Sequence, residues 1–405
     1  MPPPGWYQQT LPVNDLINDI FFLDSLNGWI VTDGDYDPPD TGYILRTTNG
    51  GENWAIQLSQ TQRLNVIQFL DLNNGYASGG SGHGIDRIFR TTNGGENWIQ
   101  LSVIGLESID DMYFINKDTG WVCDEDPLFG GLYKTTNGGI SWVQQLNESY
   151  EPLKVFFINK DTGWVGAYGS NRLYRTTNGG TNWSLQYVSN TPVISLFFLN
   201  ANYGWIRGGT GNGVLYTTDG GFTWTNAQGN VAAGFDLVFV NDSIGFSGMQ
   251  SWKISRSTDG GRNWGYQVSP NYNNMSVSAF KNNTQLAWAG GTGVVHTTDG
   301  GGPIIYTGIK QISKTIPKDF TLYQNYPNPF NPKTTIKFNI KKTSDVSIKV
   351  YDSSGKLIDG IFYENVHTGE YQYEFDGTGL TSGVYFYRLS ADGNVVDTKK
   401  MVLIK

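Results

Sequence analysis

Along its first three hundred residues the chain alternates short apolar runs with glycine-rich turns and never sustains the three-to-four-residue spacing of an amphipathic helix. A run such as Phe156-Phe157-Ile158-Asn159 followed by Gly163-Trp164 recurs as Phe21-Phe22-Leu23-Asp24 with Gly28-Trp29 and as Phe197-Phe198-Leu199-Asn200 with Gly204-Trp205. It occurs seven times, least cleanly in the last copy, between Phe280 and Trp288. A second phrase, Thr47-Thr48-Asn49-Gly50-Gly51-Glu52-Asn53-Trp54, returns at 91–98, 135–142, 176–183, 217–224 and 257–264, and its closing Trp residues stand 44, 44, 41, 41 and 40 apart. A seventh copy at 297–301 stops before its Trp, while Trp6-Tyr7-Gln8-Gln9 at the other end of the chain matches Trp142-Val143-Gln144-Gln145.

A period of about 40 to 45 residues holding four short apolar segments predicts propeller blades, each a four-stranded sheet. The expected fold is therefore all-β: a seven-bladed β-propeller over residues 1–309, with the N-terminal segment supplying the outermost strand of the last blade. Such closure removes the exposed edges of an open array. The turn phrase has a sufficient structural reading, since Asn or Asp bonds nearby backbone, Gly-Gly supplies positive φ and Trp packs the turn. Four copies carry Asn and three carry Asp, so the position uses an acceptor oxygen rather than a charge. Trp usage stops at Trp288, a linker is expected at 310–319, and alternating runs at 335–340, 346–351, 371–375, 384–389 and 401–404 predict a small immunoglobulin-like β-sandwich over 320–405.

Composition narrows the function classes. The single cysteine, Cys123, excludes an intramolecular disulfide, and no His/Cys spacing suits a structural zinc. No cofactor is expected. No apolar run approaches the roughly 18 residues that a membrane helix needs, so membrane insertion is not expected either. Net charge is −8, divided into −10 over residues 1–310 and +2 over 311–405, which leaves no basic face for nucleic acid.

The Thr-Thr-Asn-Gly-Gly-x-x-Trp phrase resembles the Asp-box, or bacterial neuraminidase repeat, of sialidases, xyloglucan-cleaving enzymes, sortilin-like receptors and photosystem II assembly factor propellers. The last also join a Phe-rich segment and Gly-Trp to the turn. The resemblance covers roughly residues 6–302 and implies fold more than activity. Residues 325–338, Val350-Tyr351-Asp352 with Gly355, Ser382-Gly383-Val384-Tyr385-Phe386-Tyr387-Arg388-Leu389 and the terminal Lys400-Met401-Val402-Leu403-Ile404-Lys405 resemble the type A sorting domain of the type IX secretion system. That resemblance implies passage across the outer membrane, handling by the type IX machinery through 320–405, and a secreted or surface location. The opening Met1-Pro2-Pro3-Pro4-Gly5-Trp6 has neither the basic start nor the apolar stretch of a signal peptide.

Function is sought where the repeats disagree. Five residues before the Asn/Asp that ends the Phe-rich run, the blades carry Asp19, Val66, Asp111, Lys154, Ser195, Asp236 and Val277. On an innermost strand these would sit near one mouth of the channel, where Asp19, Asp111, Lys154 and Asp236 could bind a cation, a basic peptide or a sugar. Asp19, Asp111 and Asp236 are also the candidates for catalysis, because glycosidases need two carboxylates about 5 to 10 Å apart. The stretch between the second and third strands shortens around the ring, and its long members hold further ligand-binding candidates in Tyr36, His83 and Phe129. Asp33, Asp35 and Asp37 have the spacing that opens a calcium loop without its Gly and Glu. A third column, Arg46, Arg90, Lys134, Arg175, Tyr216, Arg256 and His296, could form a cationic ring. The expected protein is a monomeric, non-catalytic binder of an extracellular protein or glycan; the alternative is a glycoside hydrolase or polysaccharide lyase on the same scaffold.

Overall fold

In the computed structural model the first blade consists of Ile17–Phe22, Gly28–Thr32, Gly42–Thr47 and Ala55–Gln60, hydrogen-bonded antiparallel in chain order. The structure describes residues 5–34, 41–60, 62–80, 87–101, 106, 109–124, 130–147, 152–168, 172–188, 192–208, 213–229, 236–249, 252–302, 304, 309–378 and 380–405. Four further sheets repeat the pattern, opening with Val66–Phe69, Ile109–Phe114, Pro152–Phe157 and Val193–Phe198. The sixth, Leu237–Phe239 to Asn263–Val268, carries the two-residue strand Gln228–Gly229 as an addition. In the seventh, Asn274–Ser278, Ala287–Gly291 and Val294–Thr297 are completed by Tyr7–Gln9, with Tyr7 opposite His296 and Gln9 opposite Val294. The N-terminal strand thus closes the last blade. The first strands of successive blades contact one another in order, and Asn274–Ser278 returns against Ile17–Phe22, so they form the innermost ring.

One stacking contact recurs between blades. Trp29 lies on Phe69, Tyr76 on Phe114, Trp121 on Phe157, Trp164 on Phe198, Trp205 on Phe239 and Trp288 on Phe22, with ring centroids 3.5 to 3.7 Å apart. A Gly precedes each of these aromatics except Trp288, which follows Ala287, and the same packing requires it: a Cβ on Gly28 would sit 2.5 Å from the Phe22 ring. Within the turn, Thr47 Oγ1 donates to Asn49 Oδ1 (2.9 Å) and accepts from Gly51 N (2.8 Å), while Asn49 Oδ1 also accepts from Asn53 N (3.0 Å). Thr217, Asp219 and Thr223 repeat the arrangement, so an acceptor oxygen is what the position uses. Gly50 and Gly51 have φ of 72° and 93°, a region that costs a side chain dearly.

The chain divides into two compact units, the first Met1–Ala227, Val231–Gly261 and Tyr266–Ile304, the second Gln228–Asn230, Arg262–Gly265 and Ile305–Lys405. The C-terminal region holds two four-stranded sheets. One runs Ile309–Ser313, Gly369–Asp376, Lys333–Ile340, Thr321–Leu322; the other Leu357–Val366, Ser344–Asp352, Gly383–Ala391, Asn394–Leu403. Ile336, Phe338 and Tyr371 of the first share one core with Ile348, Val350 and Leu389 of the second. Two expectations change here. The segment 310–319, read as a linker, begins inside the strand Ile309–Ser313, whose Lys310 and Gln311 pair with Gln372 and Tyr371. The strand Leu357–Val366 was missed because its apolar residues do not alternate cleanly.

Candidate functional site

The inner column is placed by a distortion of the strand. Between Ile17 and Asp19, Ile109 and Asp111, Pro152 and Lys154, Val193 and Ser195, and Asn274 and Ser276 the pairing register slips by one residue. A bulge of this kind bends a strand and re-aims the side chain that follows it. The residue after the slip pairs two positions beyond the blade's aromatic: Asp19 with Val31, Asp111 with Cys123, Lys154 with Gly166, Ser195 with Arg207. In the seventh blade that residue is Ser276, opposite Gly290, not Val277 as the sequence alignment has it. The last Phe-rich run is one residue longer, so counting back from Asn282 lands one position late.

The column residues meet across blade boundaries. Asp19 Oδ1 accepts from Ser276 Oγ and its own neighbour's Ile20 N, both 2.8 Å, and Oδ2 accepts from Ile67 N at 2.9 Å. Asp111 Oδ2 accepts from Val155 N (2.8 Å) and Oδ1 lies 3.5 Å from Lys154 Nζ. Asp236 Oδ1 accepts from Leu237 N (2.8 Å) and Ser195 Oγ (3.2 Å), and Oδ2 from Val277 N (3.1 Å) and Ser276 Oγ (3.2 Å). Each of the three carboxylates therefore holds a main-chain N–H of the following blade's inner strand. Ser276, missed in the sequence, stands between Asp19 and Asp236, and its single hydroxyl proton bonds one carboxylate at a time, the shorter contact being to Asp19. Arg207, also missed, is 1% exposed and donates to Ser247 Oγ (2.8 Å), whose hydroxyl in turn bonds the Asp236 carbonyl (2.7 Å).

Charge is crowded here. Burial, with Asp236 adding to it against the Ile67 hydrogen bond, pushes Asp19 up to about 6, and burial raises Asp111 as well. Burial works against the Lys154 ammonium, but Asp111, Asp236 and Asp19 outweigh it and raise its pKa. Burial lowers Arg207 to about 10, with Asp236 opposing. Cys123 is buried and its thiol is pushed well above the usual range by burial, as suits an inert packed group.

The second column has a uniform environment. The cations of Arg46, Arg90, Lys134, Arg175 and Arg256 lie 5.1 to 5.8 Å over Trp29, Tyr76, Trp121, Trp164 and Phe246 of their own blades. Four of them reach a glycine carbonyl of the next blade's turn: Arg46 to Gly94 (2.9 Å), Lys134 to Gly179 (2.7 Å), Arg175 to Gly220 (3.4 Å) and Arg256 to Gly300 (2.6 Å). His296 stacks on Trp288 at 4.3 Å, accepts or donates at Nδ1 with Tyr7 Oη (2.7 Å), and is lowered to about 4 by burial. All five cations are half-buried. All cover aromatics, and Arg46, Lys134, Arg175 and Arg256 also bridge blades.

Of the loop candidates, Tyr36, His83, Phe129, Asp35 and Asp37 lie outside the described residues. Asp33 Oδ1 accepts from Asn18 Nδ2 at 3.2 Å. Among the described residues no group of three or more His, Cys, Asp or Glu could hold a metal, and no helix is long and apolar enough to cross a membrane.

Residues 324–405 match the family model of the secretion system C-terminal sorting domain. The chain is a propeller with a sorting tail. The tail marks it for export through the type IX secretion system, to the cell surface or the medium. No curated protein matches the chain. Among solved structures it is similar to YCF48 bound to a D1 peptide, at 17% identity over 74% of this chain and 98% of that one, with a TM-score of 0.56. A streptogramin B lyase structure aligns at 13% identity over 72% of this chain and 97% of that one, TM-score 0.58. PorZ, described as an essential bacterial surface component of the type IX secretion system of Porphyromonas gingivalis, aligns with 98% of this chain at 15% identity, TM-score 0.53, and this chain spans 60% of its length. At such identities the likenesses show the fold alone.

Proposed function

We propose that this exported propeller is a non-catalytic recognition protein that binds an extracellular protein or glycan. The observation carrying the reading is the commitment of Asp19, Asp111 and Asp236 to main-chain N–H groups of neighbouring blades. A catalytic pair needs at least one carboxylate oxygen turned to the substrate, and these oxygens are occupied in holding the ring. The charged side chains of the turn column are likewise occupied, which leaves the loops as the variable part of the scaffold. The YCF48 structure, with a peptide bound, supports a propeller of this kind as a recognition surface.

One observation favours the alternative, a glycan-active enzyme: Asp19 titrates near 6, within the range of a general acid. A glycan array combined with a polysaccharide-turnover screen separates the two, run on the full chain and on Asp19→Asn, Asp111→Asn and Asp236→Asn. Binding without turnover, unchanged in the variants, is expected. Turnover that disappears in any of the three would overturn the recognition reading.

A further inference from the structure

The seventh blade carries a feature that the columns do not use. A cleft of about 540 Å³ opens between the N-terminal segment 8–15 and the hairpin tip Thr292-Gly293, lined by Gln8, Thr10, Asn14 and Asp15 among others. Gln8, Thr10 and Asn14 are exposed. The volume is within the range of small-ligand sites, roughly 300 to 1,000 Å³. Beside the tip runs Asn271-Tyr272-Asn273, tied to it by Thr292 N donating to Asn273 O (3.2 Å). The Gln8 and Asn271 amides close over Gly293, where a Cβ would come within 3.1 and 3.2 Å of them and would have to push them aside slightly.

Two buried polar atoms at this edge have no partner among the described residues: Asn271 Nδ2, on a residue 3% exposed, and Asn273 Oδ1. Next to them stands an exposed aromatic pair. Tyr272 is 47% and Trp252 55% exposed, with ring centroids 4.7 Å apart at 73°. Both rings are held by backbone, Trp252 N donating to Tyr272 O (3.1 Å) and Ser269 N to Trp252 O (2.8 Å). Trp252 is kept at φ of 58°, a conformation that a bulky residue adopts only under constraint.

We infer that this cleft and the Trp252–Tyr272 platform form a binding site for a neutral oligosaccharide. Aromatic faces pack against the C–H face of a pyranose, while side-chain amides and hydroxyls match sugar hydroxyls that both donate and accept. Among the described residues the cleft lining holds one carboxylate and no lysine or arginine, which suits an uncharged glycan better than an acidic one or a nucleotide. The site rests on the recognition reading above and names the glycan half of it. Asp19, Asp111 and Asp236 are not among its lining residues, so its failure and that of the recognition reading can be told apart.

The test is calorimetric titration of the full chain with cellohexaose, xylohexaose, laminarihexaose, mannohexaose and chitohexaose. Tyr272→Ala, Gln8→Ala and Trp252→Gly are titrated in parallel, the last keeping a residue suited to positive φ while removing the ring. At least one hexaose should bind, with affinity falling roughly ten-fold or more in Tyr272→Ala and Trp252→Gly at unchanged melting temperature. Binding that all three variants retain would overturn this site and leave glycan recognition standing elsewhere on the propeller. No binding of any hexaose by the parent chain would overturn the site and leave protein recognition as the remaining form of the proposed function.

Discussion

The two charged columns of the propeller make opposite use of the same problem, holding one blade to the next. In the turn column the solution is repeated: a cation over its own aromatic, reaching a glycine carbonyl of the following blade. In the inner column it is concentrated, with Asp19, Asp111 and Asp236 serving different boundaries and Lys154, the one cation of that column, paired with Asp111 and attracted by the other two. A repeated contact can lose one copy cheaply. A shared charge cannot be removed without leaving several partners uncompensated.

The largest effect is therefore expected at Lys154. Lys154→Met should lower unfolding stability by about 3 kcal/mol, the lower end for breaking a partly buried pair, read from urea unfolding at constant m. An effect under about 0.5 kcal/mol would mean that the carboxylates are held by hydrogen bonds alone. Next comes pH. Asp19 is raised from its unfolded value, so its contribution is fully present below about pH 4 and is lost as pH rises through about 6. Comparing the parent with Asp19→Asn cancels the other titrating groups; the parent should lose on the order of 2 kcal/mol relative to the variant across that window. A constant difference between them from pH 4 to 7 would remove the burial argument. The smallest effect is expected in the repeated column: Arg46→Ala should cost about 1 kcal/mol through the lost stacking over Trp29 and the bond to Gly94. A cost matching that of Lys154→Met would erase the distinction between the columns.

Much of the scaffold is legible in the chain because its contacts repeat at a fixed spacing. The Phe-rich run, the Gly that stands before the aromatic in six of the seven copies and the Asn/Asp of the turn each answer a local steric or hydrogen-bonding demand that recurs from blade to blade. The candidate site is less so. Irregular residues such as Asp19 and Asp236 drew attention as chemistry, yet their partners are the N–H groups of Ile67 and Val277, which carry no side-chain signature. Ser276 was hidden by a one-residue difference in run length, and Arg207 by its place on the second strand rather than the first. Trp252 and Tyr272, twenty residues apart, show no common pattern until two loops bring them together.

By itself, then, the sequence determined the blade number, the closure through Tyr7–Gln9 and the sorting tail, because each is written in short-range pattern or in complementary ends of the repeat. Only the tertiary structure decided what the charges do. Their partners belong to neighbouring blades some forty residues away, and whether a carboxylate faces a substrate or a backbone N–H depends on a strand bulge and a blade-to-blade distance that no local pattern encodes.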